Sequence, residues 1–119
     1  VKGLRSFFAM WRKNLLRSDF RIGCPVLAVS IEEPSDEAAQ EALKTADVVF
    51  AQWESLLCKS FKEAGMANKD AAQIAVMTIS AFEGVAAMCR SRRSVHPLDA
   101  VSAQLESTIA AAIANGKNR

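Results

Sequence analysis

Few residues in this chain are of a type that does chemistry, and their spacing narrows the choice further. The single histidine, His96, stands directly before Pro97 and has no second histidine to complete a metal set or a general base. It reads as a residue that caps or ends a turn. Cys24, Cys58 and Cys89 are far apart and odd in number, with no CxxC pair and no histidine at ligand spacing. They read as reduced cytosolic thiols, not as a disulfide framework or a zinc site. Cys24 lies between Gly23 and Pro25, where a helix N-terminus would favour a thiolate. Its only basic neighbour is Arg21, so a tight turn around a buried small residue is the simpler account. Glu83 has no second carboxylate at helical spacing and is expected to be paired or solvated, with Gly84 letting another helix approach. Arg90, Arg92 and Arg93 gather where cations complement a helix C-terminus, which marks a solvated end and not a phosphate site.

One histidine, no tyrosine and scattered carboxylates supply no nucleophile, base and metal constellation. The chain therefore reads as a non-enzyme without cofactor or metal. What remains is binding. Phe7, Phe8, Trp11, Phe50, Trp53, Phe61 and Phe82 are the materials of an apolar cavity, or simply of a core, since ligand sites are mostly apolar and aromatic. Met77 and Met88 could form an adaptable wall or fill gaps.

The elements that must position these residues are all helices. At 119 residues the chain makes one domain and can bury a core without staples. Hydrophobic residues are 50%, with 5 glycines besides, more than the roughly 45–50% apolar share of an average soluble domain. The surplus implies apolar surface covered by a second copy or a ligand. A net charge of +2 makes no case for nucleic acid. No apolar run reaches the roughly 18 residues of a membrane span, and no signal peptide is visible. The chain opens at Val1 directly into a helical pattern without methionine, which reads as a fragment whose N-terminal neighbour is missing.

Alanine occurs 21 times, and no stretch alternates as a half-buried strand would. Residues 1–17 place Leu4, Phe7, Phe8, Trp11, Leu15 and Leu16 at helical spacing. Cys24-Pro25 opens a short second helix, proline being suited to a first turn. Ser35 is the expected N-cap of a third helix over 36–64. Nearly thirty residues would span about 45 Å, so a bend or a protruding end is expected. Gly65 closes this helix. A fourth, about 70–91, is apolar on two adjacent faces and needs cover on more than one side. After His96-Pro97, the residues Leu98, Val101, Leu105, Ile109, Ala112 and Ile113 define a fifth helix, which Gly116 stops.

The order of these features resembles the C-terminal domain of TetR/AcrR-type regulators, in particular the subgroup of multidrug-resistance repressors. The resemblance is carried by Phe8 and Trp11, Gly23-Cys24-Pro25-Val26, Trp53 and Leu57, Ala64-Gly65, Ala72 with Ala75, Phe82-Glu83-Gly84, Arg90 and Pro97-Leu98. It covers nearly the whole chain in register. Val85-Ala86-Ala87-Met88-Cys89-Arg90 departs from the leucine-rich run that the subgroup carries there.

The resemblance implies an all-α antiparallel bundle of about five helices, a single C-terminal regulatory domain over 1–119, and an N-terminal helix-turn-helix domain absent from this chain. It implies a cytoplasmic homodimer, with operator DNA contacted only through the missing domain, and a small hydrophobic effector. The pocket candidates are Phe7, Phe8, Trp11, Phe50, Trp53, Leu57, Met77 and Phe82. For the two-fold four-helix interface they are Ile74, Ala81, Val85, Met88, Leu98, Val101, Leu105, Ile109 and Ala112. The competing function is a helical homodimerisation module that binds no ligand.

Overall fold

The structure, a computed structural model, describes residues 2–117. Five helices follow one another: α1 (Lys2–Arg17), α2 (Pro25–Ser30), α3 (Glu37–Glu63), α4 (Asn68–Arg92) and α5 (His96–Lys117). No strand occurs among the described residues. The molecule is a slab of 50 × 33 × 17 Å. In it α3, α4 and α5 lie side by side, α1 crosses the seam of α4 and α5, and α2 rests on α3.

Local chemistry explains the boundaries. Pro25 occupies the first turn of α2, preceded by Cys24 in an extended conformation. The N-cap of α3 is Asp36, one residue later than the expected Ser35. Its backbone is extended (φ −148°, ψ 178°), and the Ala39 N–H donates to its carboxylate at 2.8 Å. A charged acceptor at a helix N-terminus also complements the dipole, which a serine would not. Of the bend or protruding end expected for α3, the bend is absent. Its 27 residues run about 40 Å unbroken at 1.5 Å each, which a slab 50 Å long accommodates.

Gly65 ends α3 as expected, with φ of 109°. The Met66 N–H donates to Phe61 O and the Gly65 N–H to Lys62 O, each at 3.0 Å. That is the paired hydrogen bonding of a Schellman turn, and Phe61 and Met66 are both buried behind it. Gly116 does not stop α5, which runs on to Lys117. A Cβ at Gly116 would lie 2.1 Å from the Gly65 carbonyl oxygen, so the two glycines let the end of α5 cross the α3–α4 turn backbone to backbone.

The core has two parts. Beneath α1, Phe8 and Leu15 pack with Phe82, Val85, Cys89, Leu98 and Leu105. At the other end, Phe61, Met66, Ala71, Ala75, Ile109 and Ala112 close together. The end of α1 is also held. Asp19 and Phe20 adopt left-handed conformations, as does Arg93 after α4. Arg93 pairs with Asp19, and its guanidinium lies 5.8 Å over the Phe20 ring. By length and composition α4 could cross a membrane, yet it lies between α3 and α5 and buries more residues than any other helix, the place of a central helix.

Candidate ligand site and the open face of α4

The aromatic residues expected to line one pocket separate into two groups. Phe7, Phe8 and Trp11 of α1 converge on Phe82 of α4, with ring centroids 4.9, 5.8 and 5.3 Å from it. Phe7 and Phe8 also meet edge to face at 6.1 Å. These rings fill their space with one another, the arrangement aromatic quadrupoles prefer. They weld α1 to α4. Phe8 additionally walls a groove of about 290 Å3 between α1 and α5, bordered by the Arg5–Glu106 ion pair.

The second group lies on α3. Phe50 and Trp53 pair edge to face at 5.7 Å. Leu57 packs against the Phe61 core, and Met77 is 42% exposed on α4. Of the eight pocket candidates, Phe50 alone lines the cavity between α3 and α4. That cavity is about 300 Å3, and its other walls are Glu54, Val76, Ile79, Ser80 and Glu83. On α4 its residues sit at 76, 79, 80 and 83, one stripe at helical spacing.

Glu83 is the residue that sequence reasoning misjudged. It is neither paired nor solvated. The side chain is 5% exposed, and neither carboxylate oxygen has a hydrogen-bond partner. Burial raises its pKa, an effect the neighbouring Cys24 thiol opposes only in part. Burial also raises the pKa of Cys24, and the adjacent carboxylate adds to the shift, so this cysteine is held as a thiol. Arg90, two turns along the same side of α4, does not reach Glu83. Its guanidinium lies against Gly23, where a Cβ would be 3.2 Å from Nη1. The signal in the sequence was an acid placed i+4 from Ile79 and i+7 from Val76, on a stripe that is otherwise uncharged.

Val85, Leu98, Leu105, Ile109 and Ala112 are buried within the subunit, and Ile74, Ala81 and Val101 are half-buried against the same cores. As folded, these eight have little or no surface to offer a second copy. Met88 is the exception, 42% exposed. The strongest apolar stripe on α5 is spent on α1 and α4.

Exposed surface remains on α4, turned about half a revolution from Phe82. Met77, Gly84, Ala87 and Met88 share it with Gln73 and Ser91. Next to it, on the side of α5 away from Ser102, Glu106 and Ile113 of the α1 groove, lie Ala100, Gln104, Ala111 and Asn115. None of these residues is charged, and exposed Lys69 stands on the same side at the start of α4.

The described residues form an all-helical domain built around one central helix, α4. Residues 1–104 match the family described as transcriptional regulator LmrA/YxaF-like, C-terminal domain. An uncharacterised HTH-type transcriptional regulator of Mycobacterium tuberculosis, in strains CDC 1551 / Oshkosh and ATCC 25618 / H37Rv, is 36% identical over 104 residues. The alignment covers 85% of this chain and 54% of each relative. The chain thus spans about half the length of the curated relatives it matches. No solved structure matches it significantly. The chain belongs to the TetR family of transcriptional regulators, as a C-terminal regulatory domain.

Proposed function

We propose that this domain binds a small effector, apolar or aromatic in its bulk, and dimerises, and that both events govern DNA binding by an N-terminal helix-turn-helix domain of the intact, cytoplasmic repressor. The observation that carries the reading is that α4 has two such surfaces at once. One flank borders the α3–α4 cavity, and the side opposite α1 is an open, uncharged face. The longer relatives, described as HTH-type regulators and matched over 54% of their length, support the DNA-binding part.

The open face is of suitable size for a two-fold partner. Two adjacent helices, each roughly 35 Å long and about 10 Å from axis to axis, present on the order of 700 Å2. A standard interface buries about 800 Å2 on each side. In a two-fold bundle, α4 and α5 would meet the same helices of the second copy. This assignment replaces most of the interface residues expected from the sequence, while keeping Met88.

A ligand entering between α3 and α4 would push on α4. The ring cluster around Phe82 and the Arg93–Asp19 pair tie α4 to α1, so the displacement reaches α1, the helix nearest the chain's start. In a dimer such a shift alters the separation of two DNA-binding heads, and half-site spacing is a strict geometric demand. It does so only insofar as the ligand binds one arrangement better than the other. The test is operator binding by the intact protein, titrated with a broad panel of hydrophobic compounds. At least one should weaken it. Unchanged affinity across the panel removes the effector from the account.

Dimerisation without a ligand is the second reading. It is favoured by the way Phe7, Phe8, Trp11 and Phe82 close on one another and leave no hollow among them. The family is one of regulators.

A further inference from the structure

Three helices end in the same pair of backbone hydrogen bonds, and α3 alone uses glycine to make them. At the end of α3 the N–H groups of Gly65 and Met66 donate to Lys62 O and Phe61 O, with Gly65 at φ 109°. At the end of α1 the N–H groups of Asp19 and Phe20 donate to Leu16 O and Leu15 O, at 3.3 and 2.8 Å. At the end of α4 those of Arg93 and Ser94 donate to Arg90 O and Cys89 O, at 3.4 and 3.1 Å. Such a turn needs a left-handed residue, and glycine is the least strained choice. In α1 and α4 the left-handed positions are taken by Asp19, Phe20 and Arg93, at φ of 54°, 62° and 53°. A side chain there strains the backbone, and the conformation persists only where surrounding contacts over-determine it.

Those contacts run from one helix end to the other. Arg93 pairs with Asp19, and the same guanidinium lies 5.8 Å over the Phe20 ring. The left-handed residue of α4 thus holds both left-handed residues of α1. The Arg93 and Asp19 side chains are 57% and 63% exposed, and an exposed ion pair contributes little. Strain on both sides, with a weak clasp between them, leaves the closed arrangement only slightly favoured.

We infer that the ends of α1 and α4 form one latch, which opens as a unit while the rest of the domain stays folded. When Arg93 leaves Asp19 and Phe20, both turns lose the contacts that oppose their strain, and loop residues 18–23 come away from α4. That loop leads into α2 through Cys24, which stands against the buried Glu83. Its far end is seated by the Arg90 guanidinium beside Gly23. Opening therefore frees the end of α1 and the start of α2 together. Closed and open forms are two discrete arrangements, whose balance a bound molecule shifts if it favours one of them. The latch itself needs no ligand.

The test is amide hydrogen exchange at Phe20 and Ser94, whose N–H groups close the two turns. In the unaltered chain both should show one common opening free energy, below that of core amides such as Phe82. Arg93→Gly removes the clasp and supplies the residue that its own turn prefers. It should speed exchange at Phe20 by about tenfold and leave Ser94 as slow as before or slower. Asp19→Gly should act in the other direction, speeding Ser94 by about two- to threefold, because the Phe20 contact remains. Arg92→Gln, at the neighbouring position, should change neither. Exchange at Phe20 that is indifferent to Arg93→Gly overturns the proposal. So do unequal opening free energies at Phe20 and Ser94 in the unaltered chain, or exchange at both by global unfolding alone. Those last two outcomes require no variant to fold.

Discussion

The two flanks of α4 are made of similar residues and reach different outcomes. Toward α1 and α5, Phe82, Val85 and Cys89 meet Phe8, Leu15, Leu98 and Leu105, and every one of these is at most 6% exposed. Toward α3 the C-terminal end is closed by Phe61 against Ala71 and Ala75, while α2 and the first half of α3 pack more loosely. α2 buries no residue, and α3 buries only Ala46 and Phe61 in 27 residues, leaving Val48 55% and Leu56 64% exposed. Between α3 and α4 stands a cavity, and beside it Glu83 is buried with both carboxylate oxygens unpartnered. Each side has a hollow of about 300 Å3, but only the α3 side has an unpartnered buried charge beside it. Regions with few buried contacts are those that open and rearrange at low cost. A domain that must respond to a ligand needs one such region, and a rigid region to carry the response onward.

Several substitutions would break or sharpen that contrast. The largest effect should come from Phe82→Ala, which empties the ring cluster and should cost about 3–5 kcal/mol of stability in denaturant unfolding. Phe50→Ala, on the loose flank, should cost about 1 kcal/mol or less, since a half-exposed ring has less burial to lose. Equal costs would dissolve the distinction between the two flanks.

A pair of glycine variants comes next. Gly116→Ala drives a Cβ toward the Gly65 carbonyl and should cost about 1–3 kcal/mol by overpacking. Gly84→Ala meets nothing within 4 Å. Lying inside a helix, it should stabilise by roughly 0.5–1 kcal/mol.

Glu83 links the contrast to pH. Its pKa is raised in the folded state, so the folded chain holds the proton more tightly than the unfolded one. The stability it contributes is fully present below the ordinary glutamate pKa and is lost as pH rises through the raised value. Glu83→Gln should flatten this decline and, on the alkaline side, raise stability by on the order of 1 kcal/mol. Thermal unfolding across pH would read both effects, and a slope that survives the substitution would assign it to another group.

The smallest effect concerns a helix end. Asp36→Ala should cost about 1 kcal/mol, and Ser35→Ala a few tenths at most. The reverse order would move the cap to the residue first expected from the sequence.

Most of the fold was legible because helices announce themselves by period and punctuation. Pro25, Gly65 and the His96-Pro97 step fall at element boundaries in the structure as in the sequence. The errors share a cause. The stripe Leu98, Leu105, Ile109 and Ala112 tells that one face of α5 is covered, without telling by what, and here the answer is the subunit itself. The open face of α4 is weakly marked because Gly84 and Ala87 are small. Gly116 looked like a stop, since a close approach of two backbones far apart in sequence leaves no local pattern. Glu83 was hidden because a lone acid on a helix is ordinarily solvated, and only the placement of α2 and α3 puts it inside.

The account turns most directly on whether α4 and α5 carry an uncharged face that two copies share. Sedimentation velocity over a wide range of protein concentration answers this for the chain and for Ala87→Arg, which sets a charge in the centre of that face. The account requires a dimer that the substitution converts to a folded monomer. A chain that sediments as a monomer at every concentration, or a dimer indifferent to the arginine, contradicts it.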